Sequence, residues 1–327
     1  MKKRNLSQNG PEITECGLGC WQLGGGWGQP WDDAVAQDIL ETSYQEGVRF
    51  FDTADVYGDG NGESESSIGR FLKKRPDVFV ATKLGRKEIY PDGYTRQSLL
   101  DATRESLARL GVDKIDLTQL HCVPIEVLRD GSVFDWLREQ REAGLIERFG
   151  ASVETVEEGL ICLEQEGLTS LQVIFNIFRQ KPLEELLPRA HDKGVGIIVR
   201  LPLASGLLSG KMKRSTTFRE GDHRNFNRDG DAFNVGETFA GLPFETGVAL
   251  ADELRELVPD GMTMAQMALR WILDHKEVSV VIPGASSHEQ ARQNASVPGL
   301  PPLPAELHRQ LTDFYKQKVH NQIRGAY

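Results

Sequence analysis

The chain has 327 residues, 39% hydrophobic and 26% charged, with a formal net charge of -10. That length admits two average domains or one large α/β barrel, and it is ample for a full core. The acidic balance argues against a nucleic-acid ligand, which calls for a basic face, and no apolar run is long enough to span a bilayer.

Met1-Lys2-Lys3-Arg4 starts like a signal peptide, but Asn5 to Glu15 is polar, so the expected location is the cytoplasm. Cys16, Cys20, Cys122 and Cys162 form no secreted framework. Cys16 and Cys20 have no second close pair to complete a zinc site, so all four read as reduced and structural, and no metal is expected.

In chain order, Arg4 to Ile13 reads as a hairpin turning at Asn9-Gly10. A first strand spans Ile13 to Trp21 and closes at Gly24-Gly25-Gly26. The helix after Asp32-Asp33 buries Ala36, Ile39, Leu40 and Tyr44 and stops at Gly47. Val48 to Asp52 is strand two, Ile68, Phe71 and Leu72 mark a short helix, and Val78 to Lys83 is strand three. A helix opened by Thr95 ends at Gly111, and Ile115 to His121 is strand four. A helix with Phe134, Leu137 and Arg141 runs to Gly144, and Glu147 to Ser152 is strand five.

Thr155 and Glu158 form a capping box, Leu171 to Asn176 is strand six, and Pro182 opens a helix containing Leu183, Leu186, Leu187 and Ala190. Val195 to Arg200 is strand seven. A polar segment from Ser205 to about Gly247 then reads as a surface excursion of the kind that forms lids or stays disordered. Thr263 and Gln266 cap another helix, Val278 to Ile282 is strand eight, and a helix near Ser287 and a Pro-rich tail follow. Eight strands, nearly all followed by helices, predict a closed (β/α)₈ barrel in a single domain. An open doubly wound sheet would want Gly-x-Gly-x-x-Gly after strand one, and Gly17-Leu18-Gly19-Cys20-Trp21-Gln22 lacks the third glycine.

In such a barrel the C-terminal strand ends converge on one mouth. Asp52 and Tyr57, Lys83, His121 and Ser152 come from four consecutive strands there. A lone strand-end lysine is usually a solvated terminus and a lone histidine a core residue, but four such groups in succession point to a site. A lysine ammonium lowers a neighbouring phenol's pKa, Asp52 would hold Lys83, and a neutral histidine donates to a substrate oxygen. Together they suit proton delivery to a carbonyl gaining negative charge. Metal hydrolysis and acyl transfer fit poorly, with one histidine near the carboxylates and no serine beside a base. Carbonyl reduction needs a hydride, which implies a nicotinamide cofactor. Pro202 to Lys211, after strand seven, suits a pyrophosphate, and Ile282 to Gln290 opens a helix whose N-terminus attracts phosphate.

These residues resemble the aldo-keto reductase superfamily along nearly the whole chain. The likeness rests on Phe51-Asp52-Thr53-Ala54-Asp55-Val56-Tyr57-Gly58, Ala81-Thr82-Lys83, Asp116-Leu117-Thr118-Gln119-Leu120-His121, Phe149-Gly150-Ala151-Ser152, Gln172 and the two loops above. The resemblance implies reduction of an aldehyde or ketone by NADPH, NADH being possible, with a hairpin plugging the barrel. It makes Tyr57 the general acid, Lys83 its pKa-lowering partner, Asp52 the partner of Lys83, and His121 the carbonyl's orienter. Ser152 and Gln172 would hold the nicotinamide carboxamide, and Trp21 would line the substrate pocket. It places further cofactor contacts at Gly19, at Leu203, Ser205, Gly206, Leu208, Ser209 and Lys211, and at Gly284, Ser286, Ser287, Gln290 and Asn294.

Three departures stand out. Val153 replaces the family's frequent Asn, and Gln290 stands where many members carry a basic residue against a 2′-phosphate, with Arg292 nearby. Arg200 replaces a stacking aromatic, so it is expected to pack on the nicotinamide or to meet an acidic substrate group. The competing functions are a redox-sensing channel subunit on the same barrel, disfavoured by the short N-terminus, and a metal-dependent sugar isomerase. Trp21, Trp27 and Trp31 suggest an aromatic wall.

Overall fold

The structure, a computed structural model, describes residues 1–25, 31–58 and 62–327. Lys3–Asn5 (β1) and Glu12–Thr14 (β2) pair antiparallel, and the turn closes with Gly10 N donating to Ser7 O. Eight parallel strands follow, each pairing with the next: Leu18–Gly19 (β3), Phe50–Asp52 (β4), Phe79–Leu84 (β5), Leu117–His121 (β6), Phe149–Ser152 (β7), Leu168–Ile174 (β8), Gly196–Arg200 (β9) and Val278–Val281 (β10). Gly17 N donates to Val281 O at 2.8 Å and Gly19 N to Pro283 O at 3.0 Å, so first and last strands meet and the (β/α)₈ barrel closes.

The helices are Asp33–Gln45 (α1), Glu63–Leu72 (α2), Arg96–Leu110 (α3), Ile125–Asp130 (α4), Ser132–Glu142 (α5), Val156–Cys162 (α6), Leu186–Asp192 (α7), His223–Phe226 (α8), Phe244–Leu254 (α9), Met264–Leu273 (α10), His288–Ser296 (α11) and Ala305–Phe314 (α12). Their starts follow from the sequence. The Asp32 side chain accepts from Ala34 N and Val35 N, while Thr95, Thr155 and Thr263 each complete a capping box.

Side chains alternate across each strand, and the barrel interior divides into layers. Phe50, Ala81, Leu117, Ile198 and Val280 fill the lower interior against Leu6 and Ile13 from the hairpin. One step along the strands, Asp52, Lys83, Gln119 and Gln172 form a buried polar layer. The apolar floor keeps water from below, and the polar layer faces the mouth. The hairpin fits because Gly196 has no side chain, since a Cβ there would lie 1.6 Å from Leu6 O. Gly196→Ala is therefore expected to displace the hairpin and cost about 1–3 kcal/mol, read as a lower Tm in a thermal melt.

Several expectations shift. Ile13 and Thr14 belong to the hairpin, so strand one is shorter than predicted, because hairpin and barrel strand are both apolar and run together in sequence. Strand six starts earlier, at Leu168, and α4, α9 and α12 were not anticipated. The segment from Ser205 to Gly247 is folded: His223, Asn227, Thr238, Phe239 and Leu242 are buried in it. Asn227 Oδ1 accepts from Ala232 N and Phe233 N, and its Nδ2 donates to Thr238 Oγ1 at 3.0 Å, so one buried amide organises a loop that reads as polar and irregular. Gly26 and Trp27 lie outside the described residues.

Candidate active site

Asp52 ends β4 and Lys83 stands one residue before the end of β5, both facing the interior. The Lys83 ammonium is fully buried, and its three donors are all used: Asp52 Oδ1 at 2.5 Å, Thr53 O at 2.8 Å and Tyr57 Oη at 3.2 Å. Since the lysine donates to the phenol oxygen, the phenol's own proton is left to point elsewhere. Tyr57 is placed by a stitched turn. Thr53 N donates to Ala81 O, Asp55 N to Lys83 O and Tyr57 N to Ala54 O, while Ser64 Oγ ties Thr53 to Cys20 O. Gly24 lets the next loop approach, since a Cβ there would lie 2.6 Å from Tyr57 O.

The Tyr57 ring stacks 5.8 Å from Trp21 and stands edge-on 5.7 Å from His121. Burial pushes its phenol up from 10.0 and Lys83 pulls it back, with the net direction upward. The expected lowering by lysine thus operates but is outweighed by desolvation. Burial pulls the Lys83 ammonium down, yet Asp52 and Tyr57 more than offset it, and it stays protonated. His121 is held well below 6.5 by burial and by the charges of Arg86, Lys83 and Arg200, so it is neutral, and its Nδ1 is buried without a partner. Asp55, from the same motif, is buried and does not line the cavity, and burial and Glu65 push its carboxyl up to about 7.

A cavity of about 1040 Å³ opens above these groups, walled by Trp21, Tyr57, His121, Arg86, Arg200 and Phe233 near the phenol. Its far arm runs between the loops after β9 and β10, where Gly19, Leu203, Ser205, Gly206, Ser209, Lys211, Gly284, Ser286, Gln290 and Asn294 reach its walls. Leu208 is instead packed in the core, Ser287 caps α11 with its hydroxyl, and Ser152 is buried beside Cys122, its Oγ 3.6 Å from the thiol. None of these three reaches the cavity wall. Ser205 Oγ is occupied, donating to Glu237 O and accepting from Phe239 N, so it anchors the folded excursion. Ser286 donates through N and Oγ to Gln290 Oε1, which leaves only the Gln290 NH₂ to offer an anion. Arg292 pairs with Glu46 at 3.6 Å and does not line the cavity.

Gln172 donates through Nε2 to Asp52 Oδ2 at 2.7 Å, and its Oε1 is buried with no partner. That orphaned acceptor beside a deep cleft fits the NH₂ of a nicotinamide carboxamide. Gln119, two residues before His121, also donates to Asp52 Oδ2, at 3.3 Å. The sequence places it in the strand-four motif without a role of its own, although period-two alternation puts it on the same face as His121. A second missed set surrounds Arg200. Its guanidinium meets Glu237 at 3.4 Å, Val153 O at 3.2 Å and Cys122 Sγ at 3.4 Å, and Arg86 holds Glu154 at 2.7 Å and Glu237 at 3.1 Å. Burial penalises the Glu237 carboxylate, but the two arginines hold it down at about 2. Cys122, Glu154 and Glu237 lie close enough for a metal, yet both guanidiniums already bond Glu237. No sequence pattern links Glu237 to Arg200, because the contact is made by the excursion. Trp31 donates to Ser67 on α2 instead of joining Trp21.

The fold and this polar layer fit an oxidoreductase that takes a nicotinamide coenzyme. Residues 15–316 match the aldo/keto reductase family, and the chain belongs to it. As such it is an NAD(P)H-dependent oxidoreductase of small-molecule carbonyl compounds. The structure resembles the holo form of aldo-keto reductase AKR11C1 from Bacillus halodurans, with a TM-score of 0.78 and 28% identity over 99% of this chain and 100% of that one. The glycerol dehydrogenase AKR11B4 from Gluconobacter oxydans gives a TM-score of 0.77 and 27% identity, covering 99% and 98%. In sequence, a probable voltage-gated potassium channel subunit beta from Arabidopsis thaliana is 29% identical, covering 99% of this chain and 97% of that protein. No helix among the described residues is long and apolar enough to cross a membrane.

Proposed function

We propose that the protein reduces an aldehyde or ketone to an alcohol with NADPH, Tyr57 acting as general acid. The observation that carries this reading is the Lys83 ammonium spending its third donor on the Tyr57 oxygen at the floor of the cavity. The reduced coenzyme supplies the hydride when bound. Gln172 would hold its carboxamide, Gly206, Ser209 and Lys211 its pyrophosphate, and Gln290 and Asn294 the far end. Ser152, Leu208 and Ser287 would support these contacts from behind, and Arg200 would pack beside the nicotinamide or meet an acidic substrate group.

The chain's own chemistry is proton delivery. His121, neutral and edge-on to Tyr57, orients the carbonyl oxygen by donating one N–H. Tyr57 then gives its proton to that oxygen as negative charge develops, and Lys83 stabilises the phenolate left behind. Asp52 keeps the ammonium in place. Trp21 and Phe233 form an apolar wall that excludes water and strengthens each of these interactions.

NADPH is favoured by the Gln290 NH₂ and by the second N–H of Asn294, whose first donates to Gly284 O at 3.1 Å, without a guanidinium clamp. A hydrogen bond to a charged group contributes about 1.5–3 kcal/mol, so kcat/KM for NADPH should exceed that for NADH by about ten- to a hundredfold. A carbonyl panel with both coenzymes tests this, and equal values, or a higher value for NADH, would contradict the preference. The channel-subunit-like relative motivates a second reading, a regulatory protein that senses coenzyme redox state. Multiple turnovers on any panel carbonyl would set it aside.

A further inference from the structure

Asp52 has two carboxylate oxygens with different duties. Oδ1 takes the Lys83 ammonium at 2.5 Å, while Oδ2 faces two side-chain amides, Gln172 Nε2 at 2.7 Å and Gln119 Nε2 at 3.3 Å. A carboxylate paired with an ammonium can only accept, so both amides must turn their NH₂ groups toward it. Gln172 Nε2 also donates to Gln119 Oε1 at 3.4 Å. Both N–H bonds of Gln172 are thereby used, and its Oε1 is left as the buried orphan facing the coenzyme cleft. Gln119 itself is completely buried and is not part of the cavity wall, so it touches neither coenzyme nor substrate.

We propose that Gln119 is a positioning residue of the carbonyl-reducing site: with Gln172 it brackets Asp52, and so sets how strongly Lys83 acts on Tyr57. The inference rests on the reading of Tyr57 as the acid. Each amide donor draws negative charge from Asp52 toward Oδ2 and away from Lys83. With one donor gone, the carboxylate's field reaches the phenol less compensated, and the phenolate is less favoured. Tyr57 then becomes a weaker acid. The same bracket fixes the amide orientation of Gln172, so Gln119 also supports the carboxamide site at one remove.

The test uses Gln119→Met, which keeps length and approximate volume but has no N–H, and Gln119→Glu, which adds a carboxyl beside Asp52. The expected result for Gln119→Met is kcat lower by about three- to tenfold, the yield of one weak charge-assisted hydrogen bond. The alkaline limb of kcat/KM should move upward, further in Gln119→Glu than in Gln119→Met. A readout free of turnover is the phenol itself in the coenzyme-free protein. Ultraviolet absorbance after a pH jump, taken as the difference from Tyr57→Phe, should show the Tyr57 ionisation midpoint raised in the same order. Coenzyme affinity, read by quenching of protein fluorescence, should weaken only a few-fold. An unmoved limb and midpoint in both variants would overturn the proposal, even if kcat or Tm fell, because that is the signature of packing alone. Failure of the Tyr57 reading would look different: Tyr57→Phe, run alongside, would keep its activity.

Discussion

Tyr57→Phe is expected to lower kcat for carbonyl reduction by at least about a hundredfold, the low end of what a positioned general acid contributes. The substitution removes one oxygen and leaves the ring stacked on Trp21, so coenzyme affinity should hardly change. The effect belongs in kcat because the proton is needed only as the carbonyl oxygen gains charge. In wild type, the protonated phenol is the active form. Burial raises it above 10.0, so kcat/KM should hold through neutral pH and fall as pH rises through that raised value. The alkaline limb should vanish in Tyr57→Phe. Activity within a few-fold of wild type would remove Tyr57 from the mechanism.

Lys83→Met should be harsher, because it strikes fold and chemistry together. Asp52 would remain buried without its cation, and breaking one side of a buried ion pair typically costs about 3–5 kcal/mol. Denaturant unfolding should show that loss, and kcat should fall by about a hundredfold or more with the phenolate unsupported. The double variant Asp52→Asn/Lys83→Met separates the two effects. It removes both charges while the new side-chain amide keeps an oxygen that accepts from Gln172 and Gln119, so stability should largely return while activity does not. Recovery of activity in the double variant would mean that the pair serves packing only.

How much of this was legible in the sequence depends on how local each signal is. Strand ends and helix caps are local, so Asp52, Lys83 and His121 could be placed at the barrel mouth, and the capping boxes at Thr155 and Thr263 were readable as motifs. Tyr57 was readable because its turn lies a few residues beyond β4. Gln119 and Glu237 were missed for opposite reasons. Gln119 obeys the strand period, yet its role appears only when β4, β6 and β8 are brought around one axis. Glu237 reaches Arg200 from a segment organised by Asn227, and no periodicity encodes such a loop. The lysine that lowers the Tyr57 phenol was readable in the sequence, whereas the burial that outweighs it was not, because burial depends on the whole barrel.

The most direct measurement is transfer of label. With NADPH carrying deuterium at both positions of the reactive nicotinamide carbon and a panel aldehyde in excess, one deuterium per coenzyme oxidised should appear on the carbinol carbon of the alcohol, at a rate sharply reduced in Tyr57→Phe. Alcohol free of deuterium, or coenzyme that binds beside Tyr57 and stays reduced with every carbonyl tried, would contradict the account.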